Sequence, residues 1–319
     1  MKKSILFSAI FAMLLCSCKK KDDSTTTPGG TDNTATWGSA NVKSDMITYL
    51  NTKAPALNAY TVDATIGGTV TNDSVQVLIP ANAFANANGS AYSGTVNLKM
   101  QTIRSIADML YSGVTTVAGN GELLVSGGMF RLEAYDAANN KLKLKPGSTL
   151  MAVFPRYDDK FITFMGKDQS GANNKVVWDK WDSLSMKRTN NGTIILGLDS
   201  LFKYTNLDAY MNASPLTNIT VSIPAGFTNK NTECFLKYTG ENASAYIPSN
   251  ASLKAFSTTG AYYKVVEGKS VKVICFSKKD GKFYYQVKPV TSIVTNQTLT
   301  MDNMAETTEA NLQSIIALF

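Results

Sequence analysis

The sequence predicts an all-β protein: two tandem β-sandwiches, with a short helix before the first and another at the chain's end. Three observations carry that reading. Apolar and polar residues alternate along many short runs, as in Gly94-Thr-Val-Asn-Leu-Lys-Met100, which is the period of a half-buried strand. Asn88-Gly89, Asn120-Gly121, Asn191-Gly192 and Asp280-Gly281 punctuate the runs, and such dipeptides tolerate the positive φ that tight hairpins require. Helical spacing shows only near the two ends. Closely spaced strands with hairpin signals indicate a sandwich, not alternating β/α units.

Lys2 and Lys3 open the chain, and an apolar run from Ile5 to Leu15 follows. That run is shorter than the roughly 20 residues of a membrane helix and suits the centre of an export signal. It closes on Leu15-Cys16-Ser17-Cys18, then Lys19-Lys-Lys-Asp-Asp23. This box resembles a bacterial lipoprotein signal, in which cleavage precedes a cysteine that becomes lipidated. Cys18 fits that role better than Cys16, because Ser17 supplies the small residue just ahead of it. The resemblance implies a signal peptide over 1–17, lipidation at Cys18 and attachment to a membrane through acyl chains. Residues 18–36 then form the anchor and tether, since Ser24 to Thr36 is rich in Ser, Thr, Gly and Pro without apolar periodicity, a flexible composition. The Lys-rich start resembles those of Bacteroidota lipoproteins and implies an outer-membrane anchor in the cell envelope. Periplasmic and surface-facing placements both stay open.

The first folded unit is expected over 37–156. Val42, Met46, Tyr49 and Leu50 repeat at helical spacing before Pro55, so one short amphipathic helix opens it. Strands are expected at Val75–Ile79, Gly94–Met100, Met129–Tyr135 and Thr149–Phe154. A break near Pro155-Arg-Tyr-Asp-Asp-Lys160 starts the second unit, 157–319. Its strands are expected at Phe161–Met165, Thr193–Leu198, Asn218–Ile223, Cys234–Tyr238, Tyr262–Val266, Val271–Phe276 and Lys282–Val287. Leu312, Ile315, Ile316 and Phe319 share one helical face, with Thr307 or Thr308 as N-cap. Val77-Leu-Ile-Pro-Ala-Asn82 echoes Val221-Ser-Ile-Pro-Ala-Gly226, which a pair of similar sandwiches would explain.

Composition narrows the chemistry. The 319 residues are 44% hydrophobic and 17% charged and include no histidine; mean hydropathy is −0.08. Catalytic systems built on an imidazole, and His-ligated metal sites, are thereby excluded. Loss of Lys2 and Lys3 with the signal lowers the formal charge from +7 to +5. The four arginines, Arg104, Arg131, Arg156 and Arg188, are scattered, unlike the clustered arginines of nucleic-acid binders. No nucleic-acid partner, cofactor or metal is expected. Beyond the signal region only Cys234 and Cys275 remain. Both sit in strand-like runs, either as a disulfide, which an oxidising compartment permits, or as two buried thiols.

Few residues suggest a site. Trp178-Asp-Lys-Trp181 offers two indoles that could stack against sugar rings, with Tyr262-Tyr263 and Tyr284-Tyr285 extending the platform; equally, these aromatics could fill a core. Asp158, Asp159, Asp179 and Asp182 could supply paired carboxylates, although solvated loop positions are their ordinary role. Ser200 and Lys203 have a Ser-x-x-Lys spacing but follow a strand, without the helical start that chemistry needs. Asp23-Ser24, Asp73-Ser74, Asp182-Ser183 and Asp199-Ser200 resemble a short O-glycosylation motif of Bacteroidota proteins.

Two wider resemblances follow. Gly67-Gly-Thr-Val70, Ile79-Pro-Ala-Asn-Ala-Phe84, Ser93-Gly-Thr-Val-Asn-Leu98 and Leu124-Val-Ser-Gly-Gly-Met-Phe-Arg-Leu-Glu-Ala134 resemble a module of Bacteroidota lipoproteins. They are also loosely similar to the β-sandwich of ankyrins and netrin receptors. Phe256-Ser-Thr-Thr-Gly260 with Val265-Val-Glu-Gly-Lys-Ser-Val-Lys-Val-Ile274 is similar to prealbumin-like sandwiches. These resemblances imply binding or scaffolding and carry over no catalytic residue. The expectation is therefore a lipid-anchored, non-enzymatic envelope protein whose partner is a glycan or an envelope protein. A carbohydrate-binding lipoprotein of a glycan-uptake system, with Trp178 and Trp181 as its platform, is the alternative.

Overall fold

A computed structural model describes residues 36–39, 42–155, 159–168, 176–182, 184–202, 204–211 and 215–319. The expected signal peptide, Cys16, Cys18, nearly all of the tether, Asp158, Ser183 and Lys203 lie outside the described residues. The fold is all-β with three short helices.

The first sandwich uses β1 (Asn58–Asp63), β2 (Gly68–Asn72), β3 (Val75–Ile79), β4 (Phe84–Ala85), β5 (Thr95–Ile103), β6 (Val114–Ala118) and β7 (Leu124–Tyr135). It continues with β8 (Lys143–Leu144), β9 (Leu150–Phe154), β10 (Ile162–Asp168), β11 (Val176–Lys180), β12 (Ser185–Arg188), β13 (Ile194–Leu198) and β14 (Tyr204–Tyr210). One sheet has the order β1-β5-β7-β14-β10-β11-β6 and faces a second of order β12-β13-β9-β3-β2. Alternation dictates what lies between them. Val75, Val77 and Ile79 of β3 and Val96, Leu98 and Met100 of β5 point inward, meeting Leu150, Leu196 and the tilted Phe130–Phe154 pair, centroids 5.4 Å apart.

The expected unit boundary at 156/157 is therefore incorrect. Strands β10 to β14 all lie beyond it, yet they complete the same two sheets as β1 to β9. The break at Pro155 carries the chain from one sheet to the other within one sandwich. Strand β14 gave little sign of itself, because its inter-sandwich face carries Tyr204, Asn206 and Asp208 in place of aliphatic residues.

The second sandwich starts with β15 (Leu216–Thr217), β16 (Ile219–Ser222), β17 (Thr232–Tyr238), β18 (Ser244–Ile247), β19 (Ser249–Asn250) and β20 (Ala255–Ser257). It ends with β21 (Val265–Val266), β22 (Val271–Lys279), β23 (Lys282–Val290), β24 (Gln297–Thr300) and β25 (Ala305–Thr307). A sheet of order β18-β17-β22-β23-β25 packs on one of order β19-β20-β16-β24, around Val221, Leu236, Phe256 and Val273. The expected strand at Tyr262–Val266 shrinks to β21. The Val77 and Val221 echoes reach the backbone, since Asn82 (φ 58) and Gly226 (φ 85) both turn left-handed after Pro-Ala. Their strands differ in pairing, for β16 lies parallel to β24 whereas β3 is antiparallel to both neighbours.

All four hairpin dipeptides sit in hairpins, by two mechanisms. At Asp280-Gly281 both residues have positive φ (51 and 76), the two-residue turn joining β22 to β23. At the three Asn-Gly sites only the glycine is left-handed. There a type I turn precedes a one-residue bulge, as in Gly121 N donating to Ala118 O at 2.9 Å and Ala118 N to Glu122 O at 2.8 Å.

Helices α1 (Asp45–Asn51) and α3 (Glu309–Ala317) match the expected positions, capped by Ser44 and Thr308. Helix α2 (Ile106–Ser112) was not anticipated. Its signal was present: Ser105 and Asp108 form a reciprocal capping box and Gly113 closes it at φ 64. The three helices make the fold one body. Met46 and Leu50 of α1, Met109 and Leu110 of α2, and Leu312 and Ile316 of α3 share a third core with the outer faces of both large sheets. Met129, Phe164 and Trp178 line it from the first sandwich, Phe235, Ile274 and Phe276 from the second. Beside this core, Thr116 Oγ1 donates to Ser244 O at 2.9 Å and accepts from Ser244 N at 2.9 Å. One side chain thus replaces a ladder bond between edge strands β6 and β18.

Candidate functional site

The expected sugar platform does not form. Trp178 is fully buried in the third core, where its Nε1–H donates to Thr115 O at 2.7 Å. Gly166 makes room for the indole: a Cβ there would lie 3.1 Å from Trp178 Cζ3 and 2.5 Å from Val176 Cγ1. Trp181, 8% exposed, points into the core of the first sandwich instead. Burial of a large apolar ring outweighs what it gains at a wet surface. The tyrosine pairs split likewise, with Tyr262 exposed and Tyr263 buried, and Tyr284 and Tyr285 packed against different cores.

The candidate carboxylates are dispersed. Asp179 pairs with Lys167 and Asp182 with Lys180, while Asp159 is exposed at the edge of reach of Arg188. The Ser74 and Ser200 hydroxyls are buried, so neither presents an acceptor for glycosylation without local opening. Cys234 and Cys275 form a disulfide between register partners of β17 and β22, Cα atoms 4.5 Å apart. Among the described residues no cluster of three or more potential metal ligands occurs, and no helix is long and apolar enough to cross a membrane.

What the structure does assemble is a depression of about 420 Å³ on the rim of the first sandwich, within the usual size range of small-molecule sites. Three segments meet there: Ala87 from the Asn88-Gly89 hairpin, Lys141–Leu144 leading through β8, and Asp199–Phe202 between β13 and β14. Strand alternation turns Leu142 inward, 1% exposed, and leaves Lys141 and Lys143 exposed. Lys143 Nζ donates to Ala87 O at 3.0 Å, and Lys141 Nζ stands 4.9 Å from the Phe202 ring centroid. Neither ammonium is met by a carboxylate among the described residues. Phe202 sits at φ 65, a conformation that bulky residues adopt at a cost. Its N–H donates to Leu132 O at 2.8 Å and its ring packs edge-on against Tyr135 at 5.5 Å, which hold it there. Tyr135 in turn donates to Glu133 at 2.6 Å, and that bond, with burial, pushes its pKa up to about 12.

A second depression, of about 370 Å³, lies beside Tyr49, Lys53, Lys278, Phe283 and Glu309. It is the weaker candidate, because Lys53 and Glu309 already neutralise each other across it at 2.9 Å. Only part of the first depression is legible in the sequence. Lys141-Leu-Lys-Leu-Lys145 is visible as a basic alternation, whereas the backbone of Phe202 is not.

One buried ionisable group lies elsewhere. Asp208 is fully buried on β14, with Asn206 Nδ2 donating to its Oδ2 at 2.5 Å. Burial pushes this carboxyl well above the ordinary carboxylate range, against hydrogen bonds from Ser126, Asn206 and Gly127 N. The folded state therefore keeps a proton that the unfolded chain releases, and stability falls as pH rises above the ordinary carboxylate value. Each unit by which the folded pKa exceeds the unfolded one costs about 1.4 kcal/mol above both. With no histidine to titrate in that interval, the urea midpoint is expected to drop between pH 5 and 8. Asp208→Asn should flatten that slope; an unchanged slope would refute the assignment.

No family model matches the chain, and no curated protein matches it. The resemblances to envelope lipoproteins, to ankyrins and netrin receptors, and to prealbumin-like sandwiches rest on their quoted residues alone.

Proposed function

We propose that this is a lipid-anchored, non-enzymatic protein of the cell envelope, held at the outer membrane and acting as a binding or scaffold module. The observation that carries the reading is Leu15-Cys16-Ser17-Cys18, set between a basic, apolar start and a polar tether. The folded body is consistent with it. Its two sandwiches share a core with three helices, giving a rigid frame that displays loops. The Cys234–Cys275 disulfide suits an oxidising compartment. For the non-catalytic part, the support is the lack of any imidazole and the engagement of Asp179 and Asp182 by lysines. No observation favours the glycan-uptake alternative, because both indoles it needed are interior.

Labelling of the producing bacterium with an alkyne palmitate tests the anchor. The native chain and Cys16→Ser are expected to take up label and to sediment with membranes, whereas Cys18→Ser should do neither. Undiminished labelling of Cys18→Ser, or a native chain without label, would overturn the proposal.

A further inference from the structure

We propose that the depression between the Lys141–Leu144 and Asp199–Phe202 segments is a binding site for a small amphipathic anion, a short apolar tail bearing one carboxylate or phosphate head. The assignment rests on the binding-module reading and names the ligand class of that module.

The chemistry of the wall selects such a molecule. Leu142, Leu144, Leu201, Phe202 and Ala87 make most of the lining apolar, so a hydrocarbon tail gains by leaving water there. On the rim, among the described residues, Lys141 holds only an aromatic face and Lys143 only a backbone carbonyl. An arriving anion can take both ammonium groups without breaking an ion pair. Asp199, also in the lining, opposes it, leaving the two lysines and one carboxylate with a net charge that favours a single negative head.

The wall also shows marks of a built surface. Phe202 keeps its left-handed backbone through its bond to Leu132 O and its contact with Tyr135. The Ser200 hydroxyl in the same segment is buried without a partner among the described residues. Two local costs within three residues, beside the depression, are what a surface shaped for a ligand carries.

Photo-crosslinking on the full-length native protein tests this directly. The probe is an eight-carbon fatty acid bearing a diazirine, with the matching diazirine amine as charge control. The acid is expected to attach to peptides containing residues 141–144 or 199–202, and the amine to leave them unmodified. Lys141→Gln with Lys143→Gln should lower attachment roughly fivefold, two exposed charge contacts being removed, whereas Asp199→Asn should raise it. All three positions are at the surface, so the variants keep the fold. Competition by octanoate identifies a carboxylate head and competition by octyl phosphate a phosphate head; competition by neither refutes the site. Attachment elsewhere, or attachment insensitive to these substitutions, does so too. Palmitate labelling at Cys18 is read independently, so failure of the pocket and failure of the anchor are distinguishable.

Discussion

Trp178→Ala is expected to destabilise the whole protein by about 3–5 kcal/mol and to lower one calorimetric transition by roughly 5–15 °C. The indole is fully buried in the layer that joins the sandwiches and donates its N–H to Thr115 O. Truncation leaves a cavity among Phe164, Val176 and Tyr204 of the first sandwich, in the same core as α1, α2 and the sheet face of Phe235 and Phe276. Because that core belongs to both halves, both should melt together, before and after the change. Scanning calorimetry reads this as a single peak that shifts. Two separable peaks, with only the earlier one displaced, would show that the sandwiches are independent units. The same experiment explains in advance why a loss of ligand binding in this variant would report unfolding and not the removal of a sugar platform.

Loss of the disulfide is the second large effect. Cys234 and Cys275 are 41 residues apart in sequence, and in the chain-entropy model closing a loop of that size contributes about 4 kcal/mol. The pair is also inside the core of the second sandwich, so the double variant Cys234→Ala with Cys275→Ala sacrifices packing as well. Its urea midpoint is expected far below that of the native protein, and Cys234 and Cys275 of the denatured native protein should resist alkylation before reduction. Equal midpoints, or alkylation of either of these two cysteines in the unreduced chain, would contradict the bridge.

Much of the fold was legible because its determinants are local. Ser44 ahead of Met46, Tyr49 and Leu50, and Thr308 ahead of Leu312 and Ile316, encode a cap and an apolar face within a few residues. The four hairpin dipeptides did the same for turns, although the three Asn-Gly sites use a bulged turn, with the asparagine away from positive φ. Helix α2 is equally legible in Ser105, Asp108 and Gly113, although it lies between two strands. The candidate site was half visible. Alternation set Lys141 and Lys143 on one side of a strand, but their meeting with Phe202 depends on β13 and β14 belonging to the same sandwich as β8.

Sequence by itself determined the class of fold, the hairpin positions and the two terminal helices. Each is encoded by near neighbours, through side-chain period, positive-φ tolerance or capping. Tertiary structure alone decided where one sandwich ends, that Trp178 and Trp181 face different cores, and that three short helices bind the halves into one body. Those outcomes depend on which distant strands share a sheet, and that is settled by burial summed over the whole chain, to which each residue contributes little and of which no short window holds a record.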